Sequence, residues 1–332
     1  MIFGGGEDFV IFALPVYNPP MSRTSAQPPR TFAQCLRTIA WRITRTLLVA
    51  YLLVTLLACS FQERLVFPGA ARSHGVPEFV VTPPPGAQLV SLTTSDPAPN
   101  QHTVALFGPA LTRTGDPRPD AAYCPTIIYF YGNGMCLADT VHGEFMLFRQ
   151  LGANVIIPEL LGYGMATGSP SEPGCYAAAE AAYQHLLTRK DIDPKKIVAG
   201  GWSLGGAIAC DLAAKHPDIA ALFMFSSFTT MDDVAYAHYP FLPVSLILRH
   251  HFRSIDKLPT IRVPLLLIHG DSDSLIPYAL SLKNQAAATH SPKVTHLAIQ
   301  GADHNDFYLV GQNEILKALR QLLTEIRPPG EH

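Results

Sequence analysis

Charge is scarce in this sequence. Asp, Glu, Lys and Arg make up 15% of the 332 residues, against about 25% in ordinary soluble chains, and the formal net charge is −2. Without a basic excess there is no electrostatic footprint for nucleic acid, and that class of partner is set aside. Metal-type cysteine spacing is missing as well. The six cysteines, Cys35, Cys59, Cys124, Cys136, Cys175 and Cys210, contain no CxxC pair, and six in a chain this long do not form a disulfide scaffold. The His250-His251 pair lacks the HExxH arrangement of a zinc helix. Cys210 lies on a predicted helix and reads as a small buried hydrophobe.

What the chain does have is apolar material, 48% of its residues. That is enough for one large domain plus an appendage. The excess gathers early. From Thr46 to Gln62 there is no charge, and LLVAYLLVTLLAC is almost wholly apolar. Such a run spans about 25 Å as a helix, against about 30 Å of bilayer hydrocarbon. Arg23, Arg30, Arg37, Arg42 and Arg45 precede it, so residues 46–62 read as a signal anchor. The N-terminus would then lie inside and the following domain outside, in the periplasm if the cell is bacterial. A cleaved secretory signal fits the same features, and LLAC at Leu56–Cys59 resembles a lipoprotein signal that would place a lipid on Cys59. A buried domain helix is the third reading. Residues 1–45, rich in Pro, Ser and Arg, are expected to be a basic region without fixed structure.

Beyond Gln62 the pattern becomes strands and helices in alternation. Glu78–Thr82, Gln88–Thr93 and Thr103–Phe107 read as an antiparallel edge. Strand-length apolar runs follow at Thr126–Tyr131, Asn154–Ile157, Lys196–Gly200, Ala221–Phe225, Pro264–His269 and Val294–Ile299. Helical stretches separate them, near Ala138–Leu151, Tyr176–Lys190, Leu204–His216, Tyr278–Thr289 and Asp306–Ile326. This order predicts an α/β fold, a mostly parallel sheet with helices on both faces, and chemistry at the carboxyl ends of its strands. Residues 63–332 form the predicted domain, with a cap-like insertion at about 228–258.

The strongest motif is GGWSLGG at Gly200–Gly206, directly after KIVAG and directly before AIACDLAAKHP. A nucleophilic serine raised on a strand-to-helix turn needs glycines on both sides, where side chains would collide with the strand or helix. Ser203 is therefore the candidate nucleophile. A serine hydroxyl needs a base within hydrogen-bond reach and a third group to orient that base. PLLLIHGDSDSLIP and GADHND offer Asp271 or Asp273 as the acid and His304 as the base. His290, His296, His250 and His251 read as structural or surface residues.

These motifs resemble the α/β-hydrolase family. The family's HGxxDxxVP-like stretch matches His269–Pro277 and so selects Asp273, leaving Asp271 as a turn-former. The HGx oxyanion loop matches Tyr131-Gly132-Asn133, with Tyr131 in place of the usual His. The resemblance implies oxyanion donors at the backbone N–H of Leu204 and of Asn133, with Gly134 as the alternative to Asn133. QERLVFPG and LLGYGMATGSPSE extend the likeness to the membrane-anchored branch, which includes acyl-protein thioesterases and serine-aminopeptidase-like hydrolases. Glu159-Leu160-Leu161-Gly162 lacks that branch's usual Arg. The resemblance implies no metal and no organic cofactor. It implies a small-molecule or lipid-like acyl ester or thioester substrate, with Trp202 and Tyr131 as candidate pocket residues. A peptidase or acyltransferase using the same residues, and a silent binding module of the same fold, are the alternatives.

Overall fold

Thr31 and Gln34 open the first helix with a reciprocal cap. The Gln34 N–H donates to Thr31 Oγ1 at 3.4 Å, and the Thr31 N–H donates to Gln34 Oε1 at 2.9 Å. This is the T-x-x-Q form of the capping box. A computed structural model of the chain describes residues 31–326, and α1 runs Phe32–Val66 within it. Residues 32–45, expected to lack structure, are thus helical. Neither Pro nor Gly occurs between Phe32 and Val66, so nothing stops the apolar helix from propagating back to its cap. The expectation for residues 1–30 lies outside the described residues. Pro68, which disfavours helical backbone in Phe67, ends α1. Its length is about 52 Å at helical rise. Among the described residues it is the one helix long and apolar enough to cross a membrane, with mean hydropathy 1.8 over its most apolar window. The chain divides after Leu52, inside α1, into two compact units, and the second carries the sheet.

In that second unit follow α2 (Pro68–Ser73), β1 (Gln88–Thr93), β2 (His102–Gly108), β3 (Thr126–Phe130), α3 (Leu137–Thr140), α4 (Glu144–Gln150), β4 (Asn154–Pro158), α5 (Glu172–Thr188), β5 (Ile197–Trp202), α6 (Leu204–Lys215) and β6 (Ala221–Phe225). Next come α7 (Met231–His238), α8 (Val244–Ile247), α9 (Ser254–Lys257), β7 (Leu265–Gly270), α10 (Tyr278–Ala287), β8 (Val294–Ile299), α11 (Phe307–Val310) and α12 (Gln312–Glu325). The eight strands form one sheet in the order β1-β2-β4-β3-β5-β6-β7-β8. β1 pairs antiparallel with β2, β2 antiparallel with β4, and the rest are parallel. Every residue of β3, β4, β6 and β7 is buried. Successive strand side chains point to opposite faces, so both faces are covered. α6 packs on β3, β5 and β6 with α5 beside it.

Three sequence expectations differ locally. Glu78–Thr82 is not a strand: Pro77–Phe79 is a short 3₁₀ turn. β1 already forms the sheet edge, and the prolines at 83–85 carry no N–H for a ladder. The helix expected at 138–151 divides into α3 and α4 around Gly143, and that expected at 306–326 divides into α11 and α12 around Gly311. The insertion expected at 228–258 carries α7, α8 and α9. The connection from β3 leads to β4 on one side, while β5 lies on the other. The carboxyl ends of β3 and β5 therefore meet at the switch point of the sheet, where open α/β folds place ligands.

Candidate active site

At the end of β5 the chain reverses into α6 through Ser203, whose φ of 58° and ψ of −121° lie in a region costly for any residue but glycine. The surroundings hold it there. The Ser203 N–H donates to Phe225 O at 2.8 Å, and Ser227 Oγ donates to Ser203 O at 2.9 Å. A Cβ on Gly205 would stand 1.9 Å from Phe130 O, and one on Gly201 would stand 2.2 Å from the Gly205 backbone. Those contacts are the steric reason for glycine two residues before and two after the serine.

The loop after β8 brings His304 over Ser203, and the loop after β7 brings Asp273 behind His304. His304 Nε2 lies 3.1 Å from Ser203 Oγ, and His304 Nδ1 lies 2.7 Å from Asp273 Oδ2. All three side chains are buried. An ionised carboxylate accepts only, so the network assigns the proton to Nδ1 and leaves Nε2 to accept from the serine hydroxyl. Asp273 Oδ1 accepts from the Leu275 and Ile276 N–H groups at 3.0 and 2.7 Å. Burial pushes the Asp273 carboxyl up. Hydrogen bonds from His269, His304 and the Ile276 N–H outweigh it and hold the group well below the usual carboxylate range. With its folded value below its unfolded one, Asp273 contributes stability in full above about pH 5, and that contribution is lost on acidification. Thermal unfolding of Asp273→Asn is accordingly expected to change less than wild type between about pH 5 and pH 3.

Several supports of this arrangement escaped sequence reading. His269 Nε2 sits 3.2 Å from Asp273 Oδ2 and 2.9 Å from Ile276 O, within the turn it opens. Its place four residues before Asp273 was the available signal. Asp303 Oδ1 accepts from the His304 N–H at 2.8 Å and the Ser274 N–H at 2.7 Å, tying the base loop to the acid loop. Asp271 Oδ1 accepts from the Gly301 N–H at 2.7 Å, a brace between the same loops. Trp202 stacks on His304, ring centroids 5.0 Å apart and planes 27° from parallel. It is a wall for the imidazole and is not among the cavity residues.

A cavity opens over Ser203, bordered by Leu204 and Asn133. The backbone N–H groups of Leu204 and Asn133 donate to no other backbone group among the described residues. Asn133 is clamped around that N–H: its Nδ2 donates to Val66 O at 2.9 Å, and its carbonyl accepts from the Gly69 N–H and the Tyr163 hydroxyl, each at 3.0 Å. Gly134 follows in the same turn but does not border the cavity.

Tyr131 is not a pocket residue either. Fully buried, it donates its hydroxyl to Glu159 Oε1 at 2.6 Å and accepts from the Leu160 N–H at 2.9 Å. The Leu137 N–H also reaches Glu159 Oε1, at 2.9 Å. Burial pushes the Glu159 carboxyl up, against the opposite pull of the Tyr131 hydroxyl and the Leu137 and Met165 N–H groups. Tyr131 and Glu159 thus pin the loop after β3 to the loop after β4. Glu159→Ala strands two buried donors and is expected to cost about 3 kcal/mol of stability, with a smaller loss for Glu159→Gln, as read from urea unfolding.

The remaining candidates lie elsewhere. His290 Nδ1 bonds Pro259 O at 2.6 Å, His296 Nε2 bonds Ser281 Oγ at 2.9 Å, and His251 Nδ1 pairs with Asp232 at 2.8 Å. His250 packs on Phe67. Burial pushes the Cys210 thiol up to about 12, which suits packing on α6. Among the described residues no group of three or more His, Cys, Asp or Glu side chains is arranged to hold a metal ion.

The α/β hydrolase fold family matches residues 125–243. An uncharacterized protein of Mycobacterium tuberculosis is 37% identical over 195 residues, 59% of this chain and 66% of the relative. This chain thus spans just under two thirds of that protein's length. The α/β hydrolase domain-containing protein WAV2 of Arabidopsis thaliana is 30% identical over 219 residues, covering 61% of this chain and 71% of the relative. In fold, the Pyrococcus furiosus esterase Pf2001 superposes with a TM-score of 0.61 at 16% identity, covering 77% of this chain and 98% of the esterase. The serine turn after β5, the order of the strands around it and these matches lead to one assignment: the chain belongs to the α/β-hydrolase family.

Proposed function

We propose that the protein is a serine hydrolase that cleaves carboxylic ester or thioester bonds through an acyl-enzyme. The observation that carries this reading is the unbroken hydrogen-bonded line from Ser203 Oγ through His304 to Asp273, ending at the floor of a cavity. Ser203 Oγ attacks the substrate carbonyl carbon as its proton passes to His304 Nε2. The developing oxyanion accepts hydrogen bonds from the Leu204 and Asn133 N–H groups. Asp273 holds the imidazole in the required tautomer and stabilises the imidazolium. His304 then gives the proton to the departing alkoxide or thiolate. A water that loses its proton to His304 attacks the acyl carbon, releasing the carboxylic acid and restoring the serine.

In the same reading α1 anchors the protein in a membrane. Arg37, Arg42 and Arg45 lie toward its N-terminal end, and the positive-inside bias then puts the hydrolase domain on the outer face. Acid-quenched reactions with p-nitrophenyl acetate test the chemistry. The expected product is protein heavier by one acetyl group, with nitrophenolate released in step. Nitrophenolate release without any acyl-protein under single-turnover conditions would overturn the covalent route.

A further inference from the structure

The cavity over Ser203 encloses about 290 Å³, at the small end of the roughly 300–1,000 Å³ typical of small-molecule sites. Its walls come from four parts of the chain: the last turns of α1 (Ala58, Leu65), α7 (Val234, Ala235), the segment through α8 (Leu242, Ile247) and the loop after β7 (Leu275, Ile276). Among the described residues no Asp, Glu, Lys or Arg lines it. Of the polar side chains that do, Gln62, His238 and Asn133 are engaged within the walls, Ser203 bonds His304, and Tyr239 is partly exposed at the rim. Gln62 Nε2 donates to Ile247 O at 2.9 Å and Gln62 Oε1 accepts from the Arg249 N–H at 2.8 Å, which fastens α1 to the residues around α8. His238 Nε2 bonds Leu275 O at 2.7 Å, and the Asn133 amide is held by Val66 O at 2.9 Å. A charged substrate group placed here would lose its hydration and gain no counter-charge. An ammonium or a phosphate is therefore disfavoured, and a hydrocarbon chain is favoured by the apolar walls.

We propose that this cavity holds the acyl chain of the substrate, a single unbranched chain of medium length, and that residues 58–66 of α1 are one of its walls. The inference rests on Ser203 being the nucleophile, since the acyl group is the part that stays on it. The small volume favours one chain over two. α1 accordingly helps to set specificity, because Gln62 fixes one of its faces against the cap and Ala58 and Leu65 face the chain.

The test compares p-nitrophenyl acetate with p-nitrophenyl octanoate on the full-length protein, for wild type, Ala235→Trp and Ala58→Trp. The readout is the octanoate-to-acetate ratio of kcat/KM, which a general loss of folding or catalysis does not move. In wild type the ratio is expected to be well above one, with gains of up to about fourfold per methylene, equivalent to about 0.8 kcal/mol. Each tryptophan is expected to lower the ratio at least tenfold. A ratio near one in wild type, or one unchanged by both tryptophans, would overturn the acyl site while acetate turnover still stood for the hydrolase. A fall in Ala235→Trp alone would overturn the part given to α1. Absence of acetate turnover in folded wild type would overturn the hydrolase reading, and the acyl site with it.

Discussion

Ser203→Ala is expected to lower kcat for an activated ester by about a millionfold, to the level that binding and the oxyanion donors alone can supply. The substitution removes one oxygen and leaves the backbone in place. The strained φ of 58° is imposed from outside, by the Ser203 N–H bonded to Phe225 O and by the close approach of Gly205 to Phe130. Folding should therefore survive, and relief of serine hydroxyl burial should leave thermal unfolding nearly unchanged. Circular dichroism beside steady-state kinetics separates the two effects. An alanine variant that retains even a thousandth of wild-type turnover would mean that another group is the nucleophile.

Asp273→Asn is expected to lower kcat by about ten-thousandfold, with KM little altered, because the asparagine keeps the shape and reverses the donor logic. The Asp273 oxygens accept from His304, from the Leu275 and Ile276 N–H groups and from His269. An amide nitrogen placed toward His304 would donate to Nδ1, move the ring proton to Nε2 and leave no acceptor for the Ser203 proton. Placed the other way, it would face the Leu275 and Ile276 donors. Asp271→Asn is the informative control. Asp271 touches the Gly301 N–H and the Ser272 hydroxyl but not His304, so its loss should alter loop stability more than the chemical step.

The fold was legible where the polypeptide repeats a simple physical pattern. Fully buried strands such as Ile127–Phe130 and Leu265–Ile268 are continuous apolar runs bounded by turn residues, and alternation with helices implies their parallel order. The serine turn was legible for a different reason, since the glycines at 201 and 205 are required by contacts that leave no room for a Cβ. Glu78–Thr82 misled because β-branched composition says nothing about whether a neighbouring strand exists to pair with. Hydropathy marks only the apolar part of helix α1, whereas the Thr31-x-x-Gln34 cap sets its start.

The site was less legible than the fold, and the shortfall follows from distance along the chain. Ser203, Asp273 and His304 stood in recognisable local stretches, and the structure brings them within hydrogen-bond reach. The cavity walls from Ala58 and Leu65 lie more than a hundred residues from Ser203, and no local pattern announces them. Tyr131 and Trp202, expected in the pocket, turn elsewhere. Tyr131 satisfies a buried carboxylate, and Trp202 stacks on the imidazole. The buried Tyr131 hydroxyl finds a polar partner, whereas Trp202 is held by ring stacking and its indole N–H bonds nothing among the described residues; the sequence around them does not say which contact each makes.

If Ser203 is a nucleophile activated by His304, a fluorophosphonate probe labels the folded protein covalently, and the adduct is located by peptide mass in wild type, Ser203→Ala and His304→Ala. The expected result is a single adduct on the peptide carrying Ser203 in wild type and none in either variant. Folded wild type that does not label, or that labels elsewhere with equal strength in Ser203→Ala, would contradict it.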